Sequence, residues 1–216
     1  MKPSDLKKRL KEIDQAAKRG WNSYCVELAG RLVSDFPEQA AAWFELGWAA
    51  YGVARYSDAL SAFRRGLRLT HPSKRYLVHA QLGHIFRESG QFRRAEACYR
   101  KALAGDRQAA TWHIFLGALL AVTGRLTEAE AVHREATRCP KGCIDEAYLN
   151  LGLVLRAQRR YKEARSCFQK ALKITPTYKE ARRHLDDMEH VLLLARQRHP
   201  PGDPLAHRTV ARKARL

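Results

Sequence analysis

Four stretches of this chain open with the same pair of residues: Leu46-Gly47, Leu82-Gly83, Leu116-Gly117 and Leu151-Gly152. Successive glycines are 36, 34 and 35 residues apart. Each is followed at the same offset by an alanine (Ala59, Ala95, Ala129, Ala164) and one helical turn later by a ring (Phe63, Tyr99, His133, Phe168). A fixed period of this length signals supersecondary units that cannot bury their apolar faces alone and do so by stacking on one another. This feature constrains the fold more than any property of the composition.

Within a unit the periodicity is helical. Trp43, Leu46, Gly47 and Ala50 fall on one face of a helix, and Ala59, Phe63 and Gly66 form a second stripe after the break around residues 52–58. Ser57 and Asp58 are candidate caps for the second helix. Small residues are expected where the two helices touch, Gly47 against Ala59 and likewise in each later copy. A bulky side chain there would cost about 1–3 kcal/mol in strain.

The pattern resembles the tetratricopeptide repeat family, whose motif runs aromatic, Leu-Gly, aromatic, alanine, aromatic, alanine, proline. The fourth copy matches best, with Tyr148, Leu151, Gly152, Ala164, Phe168, Ala171 and Pro176. The third is weakest, with His133 in an aromatic place and Pro140 early; in the first, Pro72 comes one place late. The resemblance implies an all-α, right-handed superhelical solenoid of stacked helix-turn-helix repeats with ten or eleven helices. The expected organisation is a degenerate N-terminal capping repeat over 1–39 and four repeats over about 40–75, 76–109, 110–143 and 144–176. A C-terminal capping helix follows over 177–198, then a disordered basic tail over 199–216.

Composition narrows the function classes. The N-terminal residues contain no apolar core of a secretory signal, and the run from Val191 to Ala195 is too short to span a bilayer. Five scattered cysteines give no disulfide framework, which makes a reducing, cytoplasmic address the default expectation. There is no glycine-rich phosphate loop, no H-E-x-x-H and no G-x-S-x-G, so an enzyme is not expected, nor a cofactor. His133, Cys139 and Cys143 lie close in sequence, but zinc asks for four ligands and His133 holds a repeat-core place, so no metal is assigned.

One feature exceeds what stacking requires. The first helix of the first repeat carries a second stripe, Phe44, Trp48 and Tyr51. The corresponding places hold Ala80, His84 and Arg87, then Ile114, Ala118 and Ala121, then Leu149, Leu153 and Arg156. In the family this face lines the concave groove where peptides bind. Phe44, Trp48, Tyr51, His84, Arg87, Ile114, Leu149, Leu153 and Arg156 are therefore the candidate groove, although Ile114 and Leu149 serve equally well as packing between repeats. Some family members clamp a C-terminal carboxylate with lysine, asparagine and arginine on these helices; here those places hold Phe44, Trp48, Ala80, His84 and Phe115. A hydrophobic or amphipathic protein segment is the better-fitting ligand.

Net charge is +18, from 40 Lys and Arg against 22 Asp and Glu. The excess is spread along the chain, yet Arg55, Arg93, Arg94, Arg125, Arg159, Arg160 and Lys162 all sit near the turn inside a repeat, where stacking would align them as a basic ridge. Such a ridge would suit a phosphate backbone or an acidic partner. Nucleic acid ranks second to a protein partner, because no base-reading residues accompany the ridge. A third expectation is self-association through the leucines of the C-terminal helix.

Overall fold

The computed structural model describes residues 3–198. Among these are eleven α-helices: α1 (Pro3–Lys18), α2 (Asn22–Asp35), α3 (Ala40–Gly52), α4 (Tyr56–Leu69), α5 (Arg75–Glu88), α6 (Phe92–Gly105), α7 (Ala110–Val122), α8 (Leu126–Ala136), α9 (Ile144–Ala157), α10 (Tyr161–Ile174) and α11 (Lys179–Arg198). A 3₁₀ turn, Pro72–Lys74, leads into α5. The helices pair as antiparallel hairpins, α3 with α4, α5 with α6, α7 with α8 and α9 with α10, and each hairpin then packs its first helix against the second helix of its predecessor. The result is an all-α solenoid. Residues 199–216, expected as a basic tail, lie outside the described residues.

The turn inside each hairpin is one structure used five times. Its penultimate residue takes a left-handed backbone conformation, at Gly20, Ala54, Gly90, Gly124 and Arg159. Glycine enters that region without a Cβ clash; alanine and arginine do so at a cost. The next residue precedes the second helix and has nearly the same dihedrals in every copy, as at Arg55, Gln91, Arg125 and Arg160.

Ser57 and Asp58 do not cap α4. The helix starts at Tyr56, no side chain caps it, and Asp58 instead accepts a hydrogen bond from Arg55 Nε at 2.6 Å. The same arrangement recurs as Arg125 with Glu128 and Arg160 with Glu163.

The glycines of the repeat face rings, not alanines. A Cβ added at Gly47 would lie 2.6 Å from the Phe63 ring, and the other copies pair Gly83 with Tyr99, Gly117 with His133 and Gly152 with Phe168. The alanines are themselves fully buried and let the helices approach, but it is the ring that occupies the space vacated by the missing Cβ. Steric demand thus couples two residues sixteen apart in each copy.

Both ends are covered by helices of the chain. At the N-terminal end Ile13, Ala16, Cys25, Ala29 and Leu32 form a cluster with Ala42 and Ala49 of α3. At the other end Ala181, Leu185 and Met188 of α11 cover Phe168, Ala171 and Leu172 of α10. Leu193 and Leu194 further along α11 are exposed. No helix among the described residues is long and apolar enough to cross a membrane.

Candidate peptide groove

Two pairs of first helices from neighbouring units touch, α1 with α3 and α7 with α9, in addition to packing on the intervening second helices. The candidate wall of the groove is the stripe Phe44, Trp48 and Tyr51 with its counterparts on the later first helices, and in the first repeat it packs on α4 as well.

At the N-terminal part of that wall Phe44 closes over Gly66 and stacks on Phe63, with ring centroids 6.0 Å apart. Trp48 meets Phe63 edge-on at 5.3 Å and Tyr51 edge-on at 5.8 Å, and Tyr51 in turn leans on Tyr56. Trp48 remains 38% exposed. Its ring is thus held from below by the repeat core and open from above, which suits a preformed anchor for apolar groups.

The middle of the wall is aromatic and uncharged. The ring of His84 lies 4.4 Å from that of Phe115, and its Nδ1 is 3.2 Å from the Tyr99 hydroxyl. Burial, reinforced by the nearby Arg87 guanidinium, holds His84 below the usual histidine range, so it is neutral near pH 7. Burial also pushes the Tyr99 hydroxyl up to about 12.

The cationic spots are already partnered. Arg87 donates to Glu88 at 2.8 Å. Arg156 lies 3.0 Å from His184 Nδ1 and 3.4 Å from Asp187, both on α11.

Two candidates leave the groove. Ile114 and Leu149 are each 3% exposed. Ile114 packs with Ala110, Ala136 and Ala147 between units, and Leu149 belongs to the cluster under α10 and α11. Where the first repeat puts a ring over Gly66, these aliphatic side chains are taken up by the next unit. Leu153 stays half-buried at the wall. Phe115, Glu88, Asp187 and His184 were not among the candidates, because a single i, i+4, i+7 stripe omits the adjacent line of the helix and any contribution from α11.

Two of the seven ridge cations, Arg125 and Arg160, belong to an internal ladder. Arg125 reaches Glu96 of the preceding unit at 2.7 Å as well as Glu128, and Arg160 reaches Glu130 at 2.6 Å as well as Glu163. Glu96 and Glu130 also bind Arg100 and Arg134. The Arg125 hydrogen bond holds the Glu96 carboxyl below the usual range, and both arginines are held well above theirs by their glutamates. Arg55 pairs with Asp58, and Arg94 donates to Gln91 and lies over Phe86. Arg93, Arg159 and Lys162 are exposed. Sequence spacing aligned these cations without revealing the carboxylates interleaved from the preceding second helix.

His133, Cys139 and Cys143 do not converge on a metal-binding cluster. His133 is buried against Gly117, while Cys139 Sγ lies 3.6 Å from Nδ1 of a different histidine, His113. Among the described residues no group of three or more suitable ligands occurs.

Helical hairpins stacked in series define a repeat scaffold of the kind that mediates protein–protein interaction. The chain belongs to the tetratricopeptide repeat family: models of that repeat match residues 26–73, 81–142 and 145–178. Among solved structures it is similar to YrrB, described as a TPR protein with an unusual peptide-binding site, with a TM-score of 0.56, 17% identity, and 80% and 88% of the two chains covered. It is also similar to MamA of Desulfovibrio magneticus, with a TM-score of 0.64, 14% identity, and 80% and 96% covered. At these identities the likeness concerns the fold. Among curated proteins it is 30% identical over 145 residues to protein O-mannosyl-transferase Tmtc1 of Drosophila melanogaster, matching 60% of this chain and 17% of that one. The human TMTC1 protein matches at 25% over 135 residues, 15% of its length. The chain thus spans about a sixth of the curated relatives it matches.

Proposed function

We propose that the concave face holds an apolar or amphipathic segment of a protein partner, with Trp48 and Tyr51 as its anchors. The observation that carries this reading is the Trp48 ring, braced edge-on by Phe63 and Tyr51 yet 38% exposed. An exposed indole set among half-buried rings suits an interaction site. The rest of the wall supports the same chemistry. Arg87 and Arg156 are matched by Glu88 and Asp187, and His84 is neutral, so the wall offers no surplus cation to a terminal carboxylate. The peptide-binding site in YrrB is a precedent on the same fold.

Two buried aromatic anchors would each contribute about 1.5–3 kcal/mol. Ordering the bound segment removes part of this, which leaves an affinity of about micromolar. The test is affinity capture from the native host with the full chain and with Trp48→Ala/Tyr51→Ala. Trp21→Ala, at an exposed tryptophan between α1 and α2, serves as a control. The groove variant is expected to lose a partner that wild type and control both recover. Equal recovery by all three would refute the groove.

A further inference from the structure

A second concavity lies on a different face of α3. It is a cleft of about 450 Å³ between α2 and α4, with α3 as its floor. Val26, Trp43 and Leu46 supply the accessible apolar surface, Ala50 and Ala62 lie buried at its base, and Arg55, Arg65 and Arg68 stand around them.

The repeat register shows why the cleft is there. At the place of Ala50 the later repeats carry Phe86, Leu120 and Leu155, and at the place of Ala62 they carry Cys98, Val132 and Cys167. Both walls are cut back in the same unit. As a consequence Leu46 is only half-buried, whereas Leu82, Leu116 and Leu151 are buried.

Polar chemistry at the cleft has a sign. Trp43 Nε1 donates to the Pro37 carbonyl at 2.7 Å, so the indole turns to the cleft with its polar group satisfied. Arg65 lies 6.0 Å from the Trp43 ring centroid and reaches Glu38 at 3.3 Å, and the Glu38 side chain is otherwise mostly in solvent. An exposed ion pair of that length is weak, and a second carboxylate can replace Glu38 at little cost. Arg68 is exposed in the last turn of α4. Three guanidinium groups thus face two carboxylates, Asp58 and Glu38, on a chain of net charge +18.

We propose that this cleft receives an apolar side chain of a protein partner flanked by carboxylates: the apolar group over Trp43 and Leu46, the carboxylates on Arg65 and Arg68. Positive charge around an apolar floor favours an acidic flank and repels a basic one. The site is independent of the concave groove, and each can fail without the other.

The experiment is a nitrogen-15 NMR titration of the full chain with two acetylated, amidated peptides, Glu-Glu-Leu-Phe-Glu-Glu and its counterpart with lysine for glutamate. The acidic peptide is expected to shift the Trp43 indole and the Arg65 and Arg68 amides. Ala50→Leu/Ala62→Val should weaken it by about tenfold or more, since filling the cleft removes one side chain's burial. These are residues the third repeat already carries, as Leu120 and Val132. Arg65→Glu/Arg68→Glu should weaken it similarly and makes the test independent of how the filled variant folds. Trp48→Ala/Tyr51→Ala should leave the titration unchanged. Equal shifts from the lysine peptide, shifts that spare Trp43, or undiminished binding to the Arg65→Glu/Arg68→Glu variant would overturn the proposal. So would decanoate moving Trp43 when the acidic peptide does not, which would assign the cleft to a lipid anion.

Discussion

His133 stands where the other repeats place Phe63, Tyr99 and Phe168, and it is almost wholly buried with no hydrogen-bond partner at Nδ1. Burial, with a smaller contribution from His113, lowers it to about 4. The ordinary value of about 6.5 applies once the chain unfolds. Between these values the unfolded chain binds a proton that the folded one does not, so stability falls as pH drops from about 6.5 to about 4 and the effect levels off below. The lowering corresponds to roughly 3 kcal/mol. Denaturant melts of wild type and His133→Phe at pH 7.5 and pH 4.5 should show a clear gain for phenylalanine at the acid pH and a small one at pH 7.5. A second single-residue outcome concerns the turn. Ala54 occupies the left-handed slot that Gly90 and Gly124 fill in neighbouring copies. Ala54→Gly should raise unfolding free energy by about 0.5–1 kcal/mol, the left-handed penalty less glycine's extra chain entropy.

At the scale of the hairpin, the two helices are matched by a ring and a missing Cβ. Gly152→Ala would put a Cβ 2.5 Å from the Phe168 ring and push the hairpin open. A loss of about 1–3 kcal/mol, read by thermal or chemical unfolding, is expected. Between hairpins the register is marked by arginines that bind a carboxylate of their own helix and another from the unit before, Arg125 with Glu128 and Glu96 and Arg160 with Glu163 and Glu130. The arginines are more than a third exposed but Glu96 and Glu130 are only 20% and 13% exposed, so salt should screen these pairs only in part. Arg125→Gln with Arg160→Gln is expected to lower the melting temperature in dilute buffer and to keep part of that effect in molar salt.

At the scale of the molecule, stability is a sum over units and their interfaces, and the ends matter because each has only one neighbour. Removing α11 would uncover Phe168 and Leu172 and forfeit the burial of Leu185 and Met188, each worth about 1.5–3 kcal/mol. A chain ending at Tyr178 should lose hydrogen-exchange protection first in α9 and α10 and last in α3 to α6, and should associate in sedimentation experiments. Protection lost uniformly would show that the solenoid unfolds as one block. The same helix contributes to the groove, because Arg156 is held by His184 and Asp187. Loss of α11 would therefore also free a cation on the candidate wall.

What the sequence alone determined is the hairpin and its stacking. Leu-Gly, the alanine and the ring recur in register, and a side chain's volume and its helical phase are local properties that a single line of residues carries in full. The exposure of Trp48 was readable for the same reason. Tertiary structure decided what depends on which unit lies next door. Ile114 and Leu149 share the helical phase of Phe44 but are covered by neighbouring units, so phase alone could not separate wall from interface. Arg125 and Arg160 align with the other cations, but their glutamates arrive from a helix thirty residues away. The cleft over Trp43 exists because two small residues far apart in sequence, Ala50 and Ala62, face one space. Volume is written residue by residue, whereas vacancy and charge balance belong to pairs of surfaces and exist only once those surfaces have met.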